Sequence, residues 1–212
     1  MAYTNQKLIL MRKYLTEFIG TFFLVMGAAM FGGLGATLCL LVMVYAGGHI
    51  SGAHYNPAVT LAVLIRNRIK VGEAIVYWIC QVAAALAAGA VVMYVFHKTG
   101  EGNCGIPEDG MTQGYAAEFL GTFALAFVVL NVATAKATAG NSYYGLAIAG
   151  TVLAMATVLG SYSGGAFNPA VAIGLMFQKS LCWSQLYIYV ISTFAGAAIA
   201  ALVFRVSNPD DK

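Results

Sequence analysis

"SGAHYNPAVT" (Ser51–Thr60) and "SGGAFNPAVA" (Ser163–Ala172) are nearly the same decapeptide, written twice, 112 positions apart. Each opens on Ser and Gly, which favour extended or turning backbone with uncommitted carbonyls. Each then reads Asn-Pro-Ala-Val. Pro suits the first turn of a helix, where no backbone N–H is needed, and the preceding Asn suits the N-cap. The spacing therefore predicts a helix starting at Pro57 and another at Pro169. The apolar runs that follow, about 57–66 and 169–178, are too short to cross a bilayer, which takes about 20 residues. They read as re-entrant half-helices.

The rest of the chain supports a bilayer setting. Of 212 residues, 60% are apolar and only 9% charged, against about a quarter charged in a soluble domain. Six longer apolar stretches read as spans: about 14–34, 36–50, 72–96, 114–134, 143–161 and 183–204. The first follows Arg12-Lys13 and lacks the short core and small-residue cleavage site of a removed signal peptide, so it is kept as a span. A net charge of +3 with no basic block excludes a nucleic-acid partner. Cys39 and Cys80 sit in apolar runs and pack as small hydrophobes. Cys104 and Cys182 fall on one side of the membrane; separate thiols are the default reading and their pairing stays open. No spacing suggests a metal, a redox motif or a cofactor, and no nucleophile–base pattern suggests an enzyme.

Lys and Arg set the orientation. With the N-terminus inside, Lys7, Arg12, Lys13, Arg66, Arg68, Lys70, Lys136, Arg205 and Lys212 are cytoplasmic, and only Lys98 and Lys179 lie outside. Both termini are then cytoplasmic, and a multi-pass protein of the cell membrane is expected.

A second repeat accompanies the first: "YLTEFIGTF" (Tyr14–Phe22) recurs as "YAAEFLGTF" (Tyr115–Phe123). The chain is thus one domain, 1–212, made of two halves, 12–96 and 113–204. With three spans in each, the second half must enter the membrane upside down. Such inverted repeats place their site near the midplane. The two half-helix N-termini would meet there, each with partial positive charge. Irregular backbone at that depth is tolerated only when buried or lining a water-filled cavity. Carbonyls of Ala53, His54, Tyr55, Gly164 and Ala166 would supply acceptors, and the Asn56 and Asn168 amides donors. Together they make a polar lane for a small hydrogen-bonding molecule.

With these residues the chain resembles the aquaporin, or major intrinsic protein, family over about Tyr14–Phe204. "HISGAHYNPAVT" (His49–Thr60) is similar to the family's first motif and Asn168-Pro169-Ala170 to its second. The resemblance implies an all-α membrane fold of six transmembrane helices and two half-helices around one pore, four pores to a homotetramer. It implies that Asn56, Pro57, Ala58 and Asn168, Pro169, Ala170 form the pore centre, with both Asn donating to the permeating molecule. It also implies that Glu17 and Glu118 are buried supports of the two loops. A carboxylate inside a span is costly and usually faces the bundle interior; the other reading is a helix-end charge reaching the interface. His49 is placed with the loop supports. For it and for His54, a packed ring and a pore-facing one stay open.

The sequence departs from the family pattern at the constriction. Three residues after the second Asn the family usually carries Arg; here it is Val171, which has neither charge nor donors. Ungapped counting puts the other filter positions at Ala36, Ala156 and Gly165, with Thr37 or Leu40 as alternatives to Ala36. Such a constriction is wide, apolar and uncharged, unless Tyr162 or Phe167 narrows it from beside. Asp would follow the Arg in the family's glycerol channels; here Ala172 stands there. Passive conduction of water and small uncharged solutes is the leading function, or a broad channel for glycerol, urea, ammonia or hydrogen peroxide. A secondary transporter also uses inverted repeats, but only Glu17 and Glu118 are ionisable deep in spans. A closed structural protein is a third reading. Runs of small residues, Ala83–Ala90 and Ala195–Ala201, suit close helix packing within the bundle.

Overall fold

The computed structural model describes residues 2–102, 104 and 106–211, with side chains from residue 6 onward. Among the described residues seven α-helices carry the fold: α1 (Ala2–Ser51), α2 (Pro57–Ile65), α3 (Val71–Tyr94), α4 (Met111–Val129), α5 (Tyr144–Ser163), α6 (Pro169–Phe177) and α7 (Leu186–Ser207). No strand occurs among the described residues.

α1 contains two of the predicted spans. It doubles back at Phe31 (φ −138°, ψ 18°) and Gly32 (φ 60°, ψ −144°), the latter a conformation open essentially to Gly alone. The two arms, 2–30 and 33–51, then touch. A Cβ built on Gly27 would stand 2.4 Å from the Gly35 carbonyl oxygen, so only small residues permit this backbone approach. Among the described residues five helices are long and apolar enough to cross a membrane; Gln6–Ser51, 46 residues long and folded back at Phe31–Gly32, has the length of two crossings, which agrees with the six expected. The first arm begins well before residue 14, and Lys13 Nζ pairs with Glu73 Oε1 at 2.8 Å. α4 runs on into a wide turn at Leu130–Thr134. The half-helices match their predicted extents to within a residue.

The halves are assembled alike. α1 packs mainly on α3, and α4 mainly on α7. Small side chains fill the contact faces, with Ala84, Ala85, Ala88, Ala197, Ala200 and Ala201 fully buried. The outward faces are apolar, with Leu15, Phe31, Ile79, Val158 and Val206 among the most exposed side chains. That suits lipid rather than water.

One expectation is corrected. Cys104 and Cys182 are not separate thiols but form a disulfide, their Cα atoms 4.8 Å apart. Sequence spacing could not show it, because the pairing depends on the α3–α4 connection crossing over the segment after α6. Gly100 N–H donates to Gln178 O (2.8 Å) and Gly102 N–H to Lys179 O (2.9 Å). Cys39 and Cys80 are free and partly buried.

Candidate pore and its supports

The two half-helices meet head to head. Asn56 Oδ1 caps α2, accepting from Ala58 N–H (2.8 Å) and Val59 N–H (3.4 Å). Asn168 Oδ1 caps α6 through Ala170 N–H (2.9 Å) and Val171 N–H (3.4 Å). Their amide nitrogens cross over: Asn56 Nδ2 donates to Phe167 O and Asn168 Nδ2 to Tyr55 O, both at 2.9 Å. Each half therefore orients the other's Asn. An amide NH2 carries two hydrogens; the cross-bond takes one and leaves the second for the cavity that both Asn line.

Irregular loops at such depth need their backbone donors satisfied, and the two carboxylates do this. Glu17, fully buried, accepts from Ser51 Oγ (2.7 Å) and His54 N–H (2.9 Å) at Oε1. At Oε2 it accepts from Tyr55 N–H (2.8 Å) and Gln81 Nε2 (2.9 Å). Glu118, also fully buried, accepts from Ser163 Oγ (2.6 Å) and Ala166 N–H (3.0 Å) at Oε1, and from Phe167 N–H (2.7 Å) at Oε2. The rest of the repeated Glu-Phe-x-Gly motif has a steric role. Gly20 and Gly121 lie three residues after the Glu, on the same helix face. A Cβ on Gly20 would stand 2.1 Å from the Tyr55 ring, and one on Gly121 2.3 Å from the Phe167 ring. The glycines make room for the aromatic residue that precedes each Asn.

The internal cavity measures about 60 Å³, room for a few waters at 10–15 Å³ each. Ala53, His54, Gly164, Gly165 and Ala166 line it from the loops, and Ala36, Leu40, Ile148, Val152 and Val171 are among its apolar walls. Thr37 instead turns its hydroxyl to Gly33 O. Ala156 is not among the lining residues; it sits one helical turn beyond Val152, its Cβ 2.8 Å from a Cβ built on Gly33, and both of those neighbours line the cavity. Phe167 does not narrow the cavity, because its ring is buried against Gly121. Tyr162 is half exposed and is not among the lining residues. His54 is packed within the lining, its Nδ1 3.1 Å from Thr60 Oγ1. His49 makes none of the bonds that hold the loop. It is exposed and borders a separate cavity with Val44, Gly52 and Tyr144.

Three supports went unread in the sequence. Tyr77 Oη donates to Ser51 O (2.7 Å) and Tyr189 Oη to Ser163 O (2.6 Å). Both Tyr and Ser pairs keep the 112-residue offset of the decapeptides, a signal that was available. At one mouth, Arg68 and Lys136 line a cavity together with His54. There Asp211 Oδ1 lies 2.7 Å from Arg66 Nη2, 3.2 Å from Arg68 Nη2 and 3.9 Å from Lys136 Nζ. Asp211 Oδ2 accepts from Lys136 N–H (2.8 Å). That backbone N–H, and then the Arg66 guanidinium, hold the Asp211 carboxyl below the usual carboxylate range.

Comparisons agree with this architecture. The profile of the major intrinsic protein family matches residues 4–204. Glycerol uptake facilitator protein-like 6 of Lactiplantibacillus plantarum is 36% identical, over 95% of this chain and all of the relative. Aquaporin NIP1-4 of Oryza sativa subsp. japonica is 35% identical, over 91% of this chain and 75% of the relative. The aquaglyceroporin structure from Plasmodium falciparum superposes with a TM-score of 0.79 at 19% identity, covering 95% of this chain and 98% of that one, which speaks to the fold. Head-to-head Asn-capped half-helices, buried Glu supports and a match over nearly the whole length lead to one conclusion: the chain belongs to the major intrinsic protein family.

Proposed function

We propose that the protein is a passive channel for water and small uncharged solutes, with a wide constriction formed by Ala36, Ala156, Gly165 and Val171. The observation that carries this is the spare amide hydrogen on each of Asn56 and Asn168, facing a cavity whose walls are otherwise mostly apolar. A solute crossing there trades water for two fixed donors and the loop carbonyls, at the point where both half-helix N-termini repel cations. Pore diameter and lining donors set selectivity in such a channel. Val171 contributes only bulk, so size selection is weak. Glycerol is the first solute to try, given the name of the bacterial relative. The two halves act as inverted repeats, and the apolar outer faces suit a homotetramer in the cell membrane. The Lys and Arg bias supports cytoplasmic termini.

Stopped-flow shrinkage and re-swelling of proteoliposomes tests the reading, with water, glycerol and urea compared in wild type and Val171→Arg. Wild type should pass all three, independently of pH gradient and membrane potential, and the Arg variant should narrow toward water. Wild type passing water alone would refute the wide constriction. Flux driven by a pH gradient would point to a transporter.

A further inference from the structure

We propose that the Cys104–Cys182 disulfide is a positioning element of the constriction, setting how well the channel discriminates three-carbon polyols from water; this rests on the channel reading above. The Gly164–Gly165 segment lines the cavity with no side chains of its own, and both residues have positive φ, 84° and 66°. Its shape therefore depends on what backs it. Behind Gly164 lies Leu181, 6% exposed, with Cδ2 3.3 Å from a Cβ built on that glycine.

Leu181 precedes Cys182, and its segment is fastened from two sides. Toward α6, Ser180 N–H and Leu181 N–H both donate to Leu175 O (2.8 and 3.2 Å). Toward the α3–α4 connection, the fastening consists of the disulfide, the two Gly100 and Gly102 bonds and Gln185. Gln185 Oε1 accepts from Ile106 N–H at 3.3 Å, and its Nε2 donates to Ile106 O. Gly100 lies so close that a Cβ on it would meet Lys179 O at 2.4 Å. Val171 offers no donor to tie the filter to this covering loop. The covalent bond takes that place, one residue from the side chain that backs the wall. Opening it frees Leu181 to withdraw, and the Gly164–Gly165 wall relaxes outward.

The test measures glycerol and water permeability of the same proteoliposomes before and after dithiothreitol, in wild type, Cys104→Ser/Cys182→Ser and Leu181→Ala. Thiols are counted in denaturant alongside. Oxidised wild type should show only the Cys39 and Cys80 thiols, and reduction should raise the glycerol-to-water ratio at least about twofold, a pore-diameter effect. The double Ser variant should start at the raised ratio and ignore dithiothreitol. Leu181→Ala should reach it with the disulfide intact, which separates positioning from a general loss of fold. A conducting protein whose ratio is unchanged when all four thiols titrate overturns this proposal alone. So does an oxidised protein with four free thiols. A folded protein that passes neither solute overturns the channel reading, and this proposal with it.

Discussion

The two half-helices are built to one plan but secured by different chemistry. Around Glu17 four donors converge, the fourth from Gln81. Around Glu118 there are three. The residue that corresponds to Gln81 at the 112-residue offset is Thr193, which spends its hydroxyl on Tyr189 O of its own helix. Beyond α2, where Asn67 takes φ 61°, the flanking Arg66 and Arg68 are tied down by ion pairs to Asp211. Beyond α6, the corresponding Gln178 and Lys179 (φ 68°) are tied by backbone bonds and a disulfide. The difference teaches that the repeat conserves the capped Asn and its carboxylate, while the means of anchoring each half-helix's far end is free to vary.

The largest expected effect comes from the carboxylates. Glu17→Ala or Glu118→Ala leaves three or more buried donors unpaired, at about 1–3 kcal/mol each, so neither variant should give a monodisperse protein. The Gln variants sharpen the contrast. Gln81 Oε1 has no hydrogen-bond partner among the described residues, so its amide can turn to accept from a Gln at 17. Nothing equivalent faces position 118. Glu17→Gln should therefore keep about 1–3 kcal/mol more stability than Glu118→Gln, read as thermal unfolding in detergent. Equal losses would mean that Gln81 compensates nothing.

A smaller effect separates the loops. At the residue three before each Asn, the first loop has Ala53 with φ 51° and the second Gly165 with φ 66°. A left-handed conformation costs a non-glycine residue about 1 kcal/mol. Ala53→Gly should relieve strain and Gly165→Ala should add it, giving thermal shifts of opposite sign. Shifts of the same sign would break the equivalence of the two loops.

The smallest effect is on pH. A carboxyl held below its ordinary range stabilises the fold above the unfolded-state pKa, and that contribution is lost as pH falls through the lower folded-state value. Thermal stability should fall on acidification below the usual carboxylate range, and Asp211→Asn should flatten that slope. Reductant should leave this slope untouched, because the disulfide fastens the other half. A slope that persists unchanged in Asp211→Asn would place the titration elsewhere.

Much of this was legible in the sequence. The half-helix starts were fixed by Asn-Pro, whose capping chemistry is local. The Glu supports were implied by the family resemblance, and the cost of a carboxylate inside a span agreed with it. The Arg-less position three residues after Asn168 was found by counting against the family pattern. Other features lay beyond local reading. The break between the first two spans was read at about residue 35, but the turn itself, at Phe31–Gly32, is only two residues long and its exact place does not stand out between two apolar arms. The Cys104–Cys182 bond and the Asp211 cluster join segments far apart in the chain. The fit of Tyr55 on Gly20 and of Phe167 on Gly121 is a matter of three-dimensional shape, and a motif letter does not show it.

The two-residue turn also bears on the order of assembly. Gly27 and Gly35, eight positions apart, are already in contact within α1, so this hairpin can close as soon as residues 2–51 have been synthesised. Contacts this local form early and fast. The crossed Asn bonds span 111 and 113 positions, and neither can exist before Asn168 and Phe167 emerge. During most of its synthesis the chain therefore holds a finished hairpin and a first half-helix whose Asn56 has nothing to meet. The pore axis comes into being only after about four fifths of the chain has been made.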